Sequence, residues 1–133
     1  MPAFHHYYSN PLGSISYDLL GFVCLTWTDA AIEPDLMQSL YAHTLQALKH
    51  YDTCRLLTDQ RRRPLPEHEQ GWIVEQWIPA ALAQCIHSHC AILESPDAGS
   101  WLAARAVSTG STGPLHFAYF QQEEDARQWL YQA

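Results

Sequence analysis

Apolar positions recur along this chain with two different periods, and the two periods alternate. Between Ile15 and Trp27 apolar residues first alternate with polar ones and then run together, with Gly21 between the two halves. This pattern predicts two antiparallel strands joined by a tight turn. After Pro34 the apolar spacing changes to three and four residues, which predicts an amphipathic helix ending near Lys49. The apolar face of this helix comprises Leu36, Met37, Leu40, Tyr41, Leu45 and Leu48.

The stretch Cys54–Arg63, CRLLTDQRRR, organises the rest of the chain. Its apolar run reaches Asp59 and then gives way to three arginines. We interpret it as the central strand of a sheet, with a charged loop at its carboxyl end. Two later apolar runs, CAILES from Cys90 and LHFAYF from Leu115, predict two more buried strands.

Helical patterns separate these later strands. One occupies residues 67–84 and contains Pro79, which predicts a kink or break. A second, capped by Ser95 or Asp97, extends to about Ala106, and a third follows Gln122 with three acidic residues in its first turn. The order is therefore two strands, three helix–strand repeats and a last helix. This order predicts an α/β fold with a single-domain mixed β-sheet, a leading antiparallel hairpin, then β-α repeats, and about four helices.

The predicted domain spans residues 14–133, and residues 1–13, which are rich in His and aromatic residues, are interpreted as an N-terminal tail. A chain of 133 residues with 47% hydrophobic content suits one globular domain without stabilising cross-links. The four cysteines lie mostly in apolar, strand-like contexts, so we expect buried free thiols rather than disulfides.

Charge and hydropathy restrict the environment and the partners. A formal net charge of −7 disfavours long-range attraction to nucleic acid, so we expect no nucleic-acid partner. No apolar run approaches the roughly 20 residues of a membrane span. The N-terminus has neither the basic segment nor the apolar core of a signal peptide, so we expect a cytoplasmic protein.

Several short segments occur in a familiar order over residues 14–131. They are a hairpin ending in LTWTD, an LLTD strand followed by arginines, a helix containing WIVEQWIP, an AIL strand and a terminal EEDARQWL. Together they resemble the small bacterial SpoIIAA-like domains of the STAS/SEC14 group. The resemblance implies a four- to five-stranded sheet surrounded by helices, and a protein-interaction or regulatory role. Some relatives in this group bind nucleotide or lipid.

The resemblance also implies a checkable feature. STAS anti-sigma-factor antagonists carry a phosphorylatable Ser or Thr just after an Asp, in the loop after a central strand. Here the loop reads Thr58-Asp59-Gln60-Arg61, and no Ser or Thr follows Asp59. Thr58 precedes the Asp and is expected to belong to the strand. We therefore expect a STAS-like module without the usual phospho-acceptor.

The arginines after the central strand allow two interpretations. In the first, Arg61, Arg62 and Arg63 form an anion or partner site, because ligands of open α/β sheets collect at the carboxyl ends of strands. In the second, they belong to a solvated loop and pair with nearby acidic residues such as Glu67 and Glu69. In either case, Asp59 is expected to orient one of the arginines or to bridge to a neighbouring loop.

Trp72 is a further candidate for partner binding. It lies one position before the apolar stripe of its predicted helix. With Phe4, Tyr7 and Tyr8 of the tail, it is expected to line a groove or a dimer surface, unless it packs in the core.

A metal centre is not expected, although Cys85, His87, His89 and Cys90 all have side chains that bind metals. Their spacing lacks the usual C-x-x-C geometry, and Cys90 begins a buried strand. We also find no catalytic constellation and no cofactor motif. The leading hypothesis is a non-enzymatic protein-interaction or regulatory module with an unidentified protein partner, which we expect to self-associate as a homodimer. The alternative is a SEC14-like protein that binds a small apolar or anionic ligand.

Overall fold

The computed structural model describes residues 4–30, 33–62, 88–94, 110–112 and 115–132. Within these ranges the chain forms seven strands and two helices. The strands are β1 (Phe4–Asn10), β2 (Gly13–Asp18), β3 (Phe22–Trp27), β4 (Arg55–Asp59), β5 (Ser88–Leu93), β6 (Gly110–Thr112) and β7 (Leu115–Phe120). The helices are α1 (Pro34–His50) and α2 (Glu123–Tyr131).

All seven strands belong to one mixed sheet, in the order β1-β2-β3-β4-β5-β7-β6. The pairs β1/β2 and β2/β3 are antiparallel, whereas β3, β4, β5 and β7 run parallel to one another. The predictions of an α/β fold, a leading hairpin and a central strand at β4 are confirmed. The predicted helices in residues 67–84 and 95–106 lie outside the described residues, and the SpoIIAA-like fold stays a prediction.

The β2–β3 hairpin turns where the sequence predicts it. The amide of Gly21 donates to the carbonyl of Asp18 at 2.9 Å, and the amide of Leu20 donates to the Asp18 side chain at 2.8 Å. Gly21 has a φ of +112°, a conformation that costs a side-chain-bearing residue free energy. Gly and Asp therefore specify this turn locally.

Helix α1 covers one face of the sheet over β1, β2 and β3. Pro34 occupies its first turn, where a missing amide hydrogen costs nothing, and Lys49 and His50 complement its carboxyl end. Its apolar stripe packs into a continuous core whose buried members include Leu12, Ile15, Val23, Leu25, Trp27, Leu40, Ala47, Leu48, Leu56, Cys90 and Ile92. Burial of this stripe is the main contribution that fixes α1 on the sheet.

Helix α2 covers part of the opposite face, over β4, β5 and β7. Its Ala126 and Leu130 are fully buried against the sheet. The second core cluster consists of Phe22, Cys24, Leu57, Ala91, Ala126 and Leu130. This cluster is smaller than the first, so the described helices cover the two faces unequally.

The N-terminal segment differs from its prediction, because residues 4–10 of the expected tail form the edge strand β1. A bulge between His6 and Tyr8 shifts the register and lets consecutive tyrosines reach α1. Tyr7 contacts Tyr51 edge-on, and Tyr8 stacks on His43 with ring centroids 3.7 Å apart. These contacts with a distant helix, rather than local propensity, order the segment.

Two smaller expectations also need correction. The short strand β6 (Gly110–Thr112), which pairs with β7, is not among the strands that the sequence pattern predicts. Cys24 and Cys90 are buried free thiols as expected, but Cys54 is disulfide-bonded. Disulfide formation depends on Cα separation and side-chain direction, neither of which the sequence spacing reveals. None of the helices in the described ranges is long and apolar enough to cross a membrane.

Candidate functional site

A groove lies beside α2, over those residues of β1, β2 and β3 that this helix does not cover. Its volume is about 210 Å³. It is lined by Phe4, His6, Ser14, Ser16, Cys24, Thr26, Leu57, Asp59, Glu123 and Arg127. Eight of these ten residues come from strands and two from α2, so the sheet forms the floor and the helix forms one wall.

Strand register explains why the floor is open. Ser16 of β2 pairs with Cys24 of β3, which pairs with Leu57 of β4. Two residues away along each strand, Ser14 pairs with Thr26, and Thr26 pairs with Asp59. Because side chains alternate between faces with a period of two, these small residues all point away from α1. A row of serine, cysteine and threonine leaves a trough where larger side chains would fill it.

The hydroxyl groups of the floor have no partners within the described part of the protein. The side chains of Ser14, Ser16 and Thr26 make no hydrogen bond to another described residue. All three are partly exposed at the groove surface. Each hydroxyl can donate one hydrogen bond and accept two, so the floor offers several sites to a polar group placed above it.

A chain of ion pairs forms the wall on the α2 side. Arg61 contacts Asp59 at 2.8 Å and Glu123 at 3.0 Å. The same Glu123 contacts Arg127 at 2.8 Å, and Arg127 reaches on to the buried carboxylate of Asp18. The ion pairs therefore link the end of β4, the first turns of α2 and the end of β2.

Both guanidinium groups are held firmly in their charged state. Hydrogen bonding to Asp59 is the main factor that raises the pKa of Arg61. Burial lowers the pKa of Arg127, but its hydrogen bonds to Glu123, Tyr131 and Asp18 outweigh that effect, so the pKa is raised overall. Three carboxylates face two guanidinium groups in this network, which gives it a formal charge of −1. An added anion would meet carboxylates that already occupy the arginines.

The thiol in the groove is not a nucleophile at neutral pH. Burial raises the pKa of Cys24 to about 12. The reactive form of cysteine is the thiolate, which is scarce far below the pKa. Cys24 therefore acts as a small, neutral part of the groove floor.

The structure brings together only part of the predicted site. Asp59 and Arg61 meet as expected, since the Asp59 carboxylate accepts hydrogen bonds from the backbone amide, Nε and Nη2 of Arg61. Arg62 lies exposed next to them. Arg63, Glu67, Glu69 and Trp72 lie outside the described residues. Among the described residues, the carboxylates that Arg61 contacts are those of Asp59 and Glu123.

The position of Thr58 bears on the missing phospho-acceptor. Thr58 is 3% exposed and lies inside β4, as its place before Asp59 predicts. A kinase could reach its hydroxyl only if the strand opened, because the side chain is enclosed by the sheet.

Arg127, Asp18 and the floor serines are site residues that the sequence interpretation missed. Asp18 and Arg127 are 109 positions apart, so no local pattern connects them. The serines did leave a signal, because Ser14, Ser16 and Asp18 alternate with apolar residues along β2. When every second residue of an inner strand is polar, the sheet face that carries those residues is not fully packed.

The Cys/His segment does not form a metal centre among the described residues, where no group of three or more His, Cys, Asp or Glu side chains could hold an ion. His89 stacks on His116 and contacts Trp129 on the α2 side, whereas Cys90 is buried in the core under α1. The two neighbours thus point to opposite faces of β5. Cys85 and His87 lie outside the described residues.

Comparison with protein-family models, with curated proteins and with solved structures found no match. The fold and the groove are therefore interpreted from their own chemistry.

Proposed function

We propose that this chain is a non-enzymatic protein-interaction module of the regulatory, STAS-like type, and that the groove beside α2 receives a polar segment of a partner protein. One observation carries the proposal. Three hydroxyl side chains line an open trough in the sheet and have no hydrogen-bond partner among the described residues. Packed sheet faces are normally apolar, whereas these hydroxyls form a polar row between two buried clusters.

The charges around the groove favour a neutral or cationic segment. Arg61 and Arg127 each contact two carboxylates, and the network has one carboxylate in excess. A backbone amide, an amide side chain or a lysine ammonium can bond to the hydroxyls and to the exposed edge of Glu123 without displacing an ion pair. The exposed ring of Phe4 adds an apolar contact at the groove margin.

A binding role suits the chemistry of the groove better than catalysis does. Its thiol is held neutral by burial, and its serines make no hydrogen bond to a described histidine or carboxylate that would activate them. The resemblance to STAS domains supports the regulatory assignment.

Site-specific photo-crosslinking tests this function. A benzophenone amino acid replaces Phe4 at the groove margin and, in a matched control, Leu20 at the hairpin turn, which is also exposed. We expect the Phe4 probe to capture a discrete protein other than a second copy of this chain, and the Leu20 probe not to capture it. The variant Ser16→Arg, which fills the trough, is expected to abolish that crosslink. Equal capture from both positions would refute the groove as the docking site.

The groove volume favours a second candidate function, the binding of a small ligand. A space of about 210 Å³ suits a polar molecule of modest size. In an NMR titration we expect sorbitol or glycinamide to shift the amide signals of Ser14, Ser16 and Thr26, and phosphate to leave them unchanged. A response to phosphate alone would instead support the anionic ligand that the arginine run suggests.

A further inference from the structure

The two edges of the sheet differ in length and in protection. Strand β6 at one edge has three residues, whereas β1 at the other edge has seven. Within the described residues, β1 pairs with β2 on one side and with no strand on the other. A long edge strand presents a row of unpaired backbone donors and acceptors, which is a template for another strand.

The β1 edge also lacks the charges that usually protect such edges. No Asp, Glu, Lys or Arg occurs before Asp18, so β1 and its flanks carry no charged side chain apart from histidine. Natural edge strands are commonly blocked by lysines, by proline, by short length or by a β-bulge. Of these devices β1 has the bulge, between His6 and Tyr8. Here Pro11 lies just beyond the strand, and β1 itself contains no proline.

The strand is held ready for pairing. The Tyr8 hydroxyl hydrogen-bonds to Ser39 Oγ at 2.8 Å, and Asn10 Nδ2 donates to the Leu36 carbonyl at 3.0 Å. These bonds fix β1 on α1, so a partner strand meets little ordering cost. The bulge after His6 turns Tyr7 and Tyr8 towards α1, and therefore neither ring obstructs the outer edge.

We propose that β1 is a self-association edge, at which a second copy of this chain adds its own β1 in antiparallel orientation to form one continuous sheet. Antiparallel pairing of identical strands is self-complementary about a two-fold axis, so one interaction satisfies both edges. Each copy carries a formal charge of −7, and copies therefore repel over most of their surface. This electrostatic repulsion is weakest at the β1 edge, because the strand has no Asp, Glu, Lys or Arg.

This inference is independent of the partner proposed for the groove. The two sites adjoin, because Phe4 and His6 of β1 line the groove. Joining two β1 edges places two grooves on one sheet, which would give the dimer two docking sites.

Sedimentation equilibrium of the purified chain tests the proposal. We expect a mass twice the 15.2 kDa of one chain. The variant His5→Glu places a charge on the exposed edge, where the two-fold axis duplicates it, and is expected to sediment as a monomer. Leu20→Glu adds the same charge at the exposed hairpin turn and is expected to stay dimeric. A monomeric wild type, or a dimer unaffected by His5→Glu, overturns the proposal.

Two further measurements separate the outcomes. Far-UV circular dichroism verifies that His5→Glu is folded, and Ser9→Lys, at another exposed position of β1, repeats the test if it is not. Ser16→Arg is expected to remain dimeric while losing groove binding. A monomeric Ser16→Arg variant would show that groove and edge are one surface, and would overturn the separate edge.

Discussion

The two faces of the sheet are built from the same strands but have different chemistry. Under α1, alternate residues of β2, β3 and β4 are large and apolar, and Ile15, Leu25 and Leu56 are at most 1% exposed. On the opposite face, the residues between them include Ser14, Ser16 and Thr26. Helix α2 covers the β4, β5 and β7 side of that face, together with Phe22 and Cys24 of β3. Both faces therefore contribute to the core, but the α1 face has the larger buried cluster and the opposite face leaves a groove.

This difference separates residues that determine folding from residues that are available for recognition. A hydroxyl on the α1 face would cost free energy unless it found a partner, as Thr44 does by donating to the Leu40 carbonyl at 2.8 Å. A hydroxyl in the groove costs little, because water can bond to it. Substitutions on the α1 face should therefore change mainly the free energy of unfolding, and substitutions in the groove should change mainly binding.

The largest expected effect comes from the α1 face. Leu40 is fully buried between α1 and the sheet. We expect Leu40→Ala to lower the free energy of unfolding by about 2–5 kcal/mol, because it loses buried apolar area and leaves a cavity. Urea unfolding followed by tryptophan fluorescence measures this change. A loss within about 0.5 kcal/mol, the range of ordinary surface substitutions, would contradict the packing described for α1.

Gly13 offers a steric test at the border of the same face. An added Cβ would lie 2.6 Å from the carbonyl oxygen of Thr26 and 2.9 Å from Leu40 Cδ2. We expect Gly13→Ala to lower the free energy of unfolding by about 1–3 kcal/mol, because backbone and core must shift to make room. The double variant Gly13→Ala/Leu40→Ala provides the control. It should cost less than the sum of the single changes, since the smaller side chain relieves one of the two clashes.

The ion-pair wall is expected to have an intermediate effect. Arg127→Met leaves the Asp18 carboxylate, whose side chain is 4% exposed, without its charged partner. We expect a loss of about 1–3 kcal/mol in the free energy of unfolding, the usual penalty for a buried acceptor deprived of its partner. Arg62→Met, at an exposed arginine, is the matched control and should change stability little. Equal losses for the two variants would mean that the wall contributes nothing specific.

The dependence of stability on alkaline pH tests the burial of the Cys24 and Cys90 thiols, which lie on opposite faces of the sheet. Burial raises the pKa of Cys24 and of Cys90 to about 12, from an ordinary value of 9.0. Since the folded pKa is the higher one, the stabilisation is complete below pH 9 and is lost as pH rises from 9 towards 12. We expect the urea midpoint to fall in that window, and to fall less steeply in Cys24→Ala. An unchanged slope in the variant would mean that Cys24 is accessible to solvent.

The smallest effect on stability is expected in the groove. Ser16→Ala removes a hydroxyl that bonds to no other described residue, so the free energy of unfolding should change by less than about 0.5 kcal/mol. Binding of sorbitol or of the crosslinked partner should weaken in the same variant. A marked destabilisation would show instead that Ser16 is part of the packed structure.

Much of the fold could be predicted because it depends on local periodicity. The hairpin, α1, β4, β5, β7 and α2 each have an apolar pattern that matches their period. Strand β1 could not be predicted, since it is ordered by contacts of Tyr7 and Tyr8 with a helix that begins more than twenty residues later. For the same reason the sequence indicated Asp59 and Arg61, which are neighbours, but missed the pairing of Asp18 with Arg127.

The most direct test of the difference between the faces is thiol labelling at Ser16. The variant Ser16→Cys is treated with iodoacetamide under native conditions, and peptide mass spectrometry then quantifies modification at each cysteine. Native Cys90, which is fully buried on the α1 face, serves as the internal control. We predict rapid labelling at position 16 and none at Cys90 until the protein is unfolded. Protection of position 16 to the same degree as Cys90 would show that the groove is closed in solution, and would contradict its role as a recognition site.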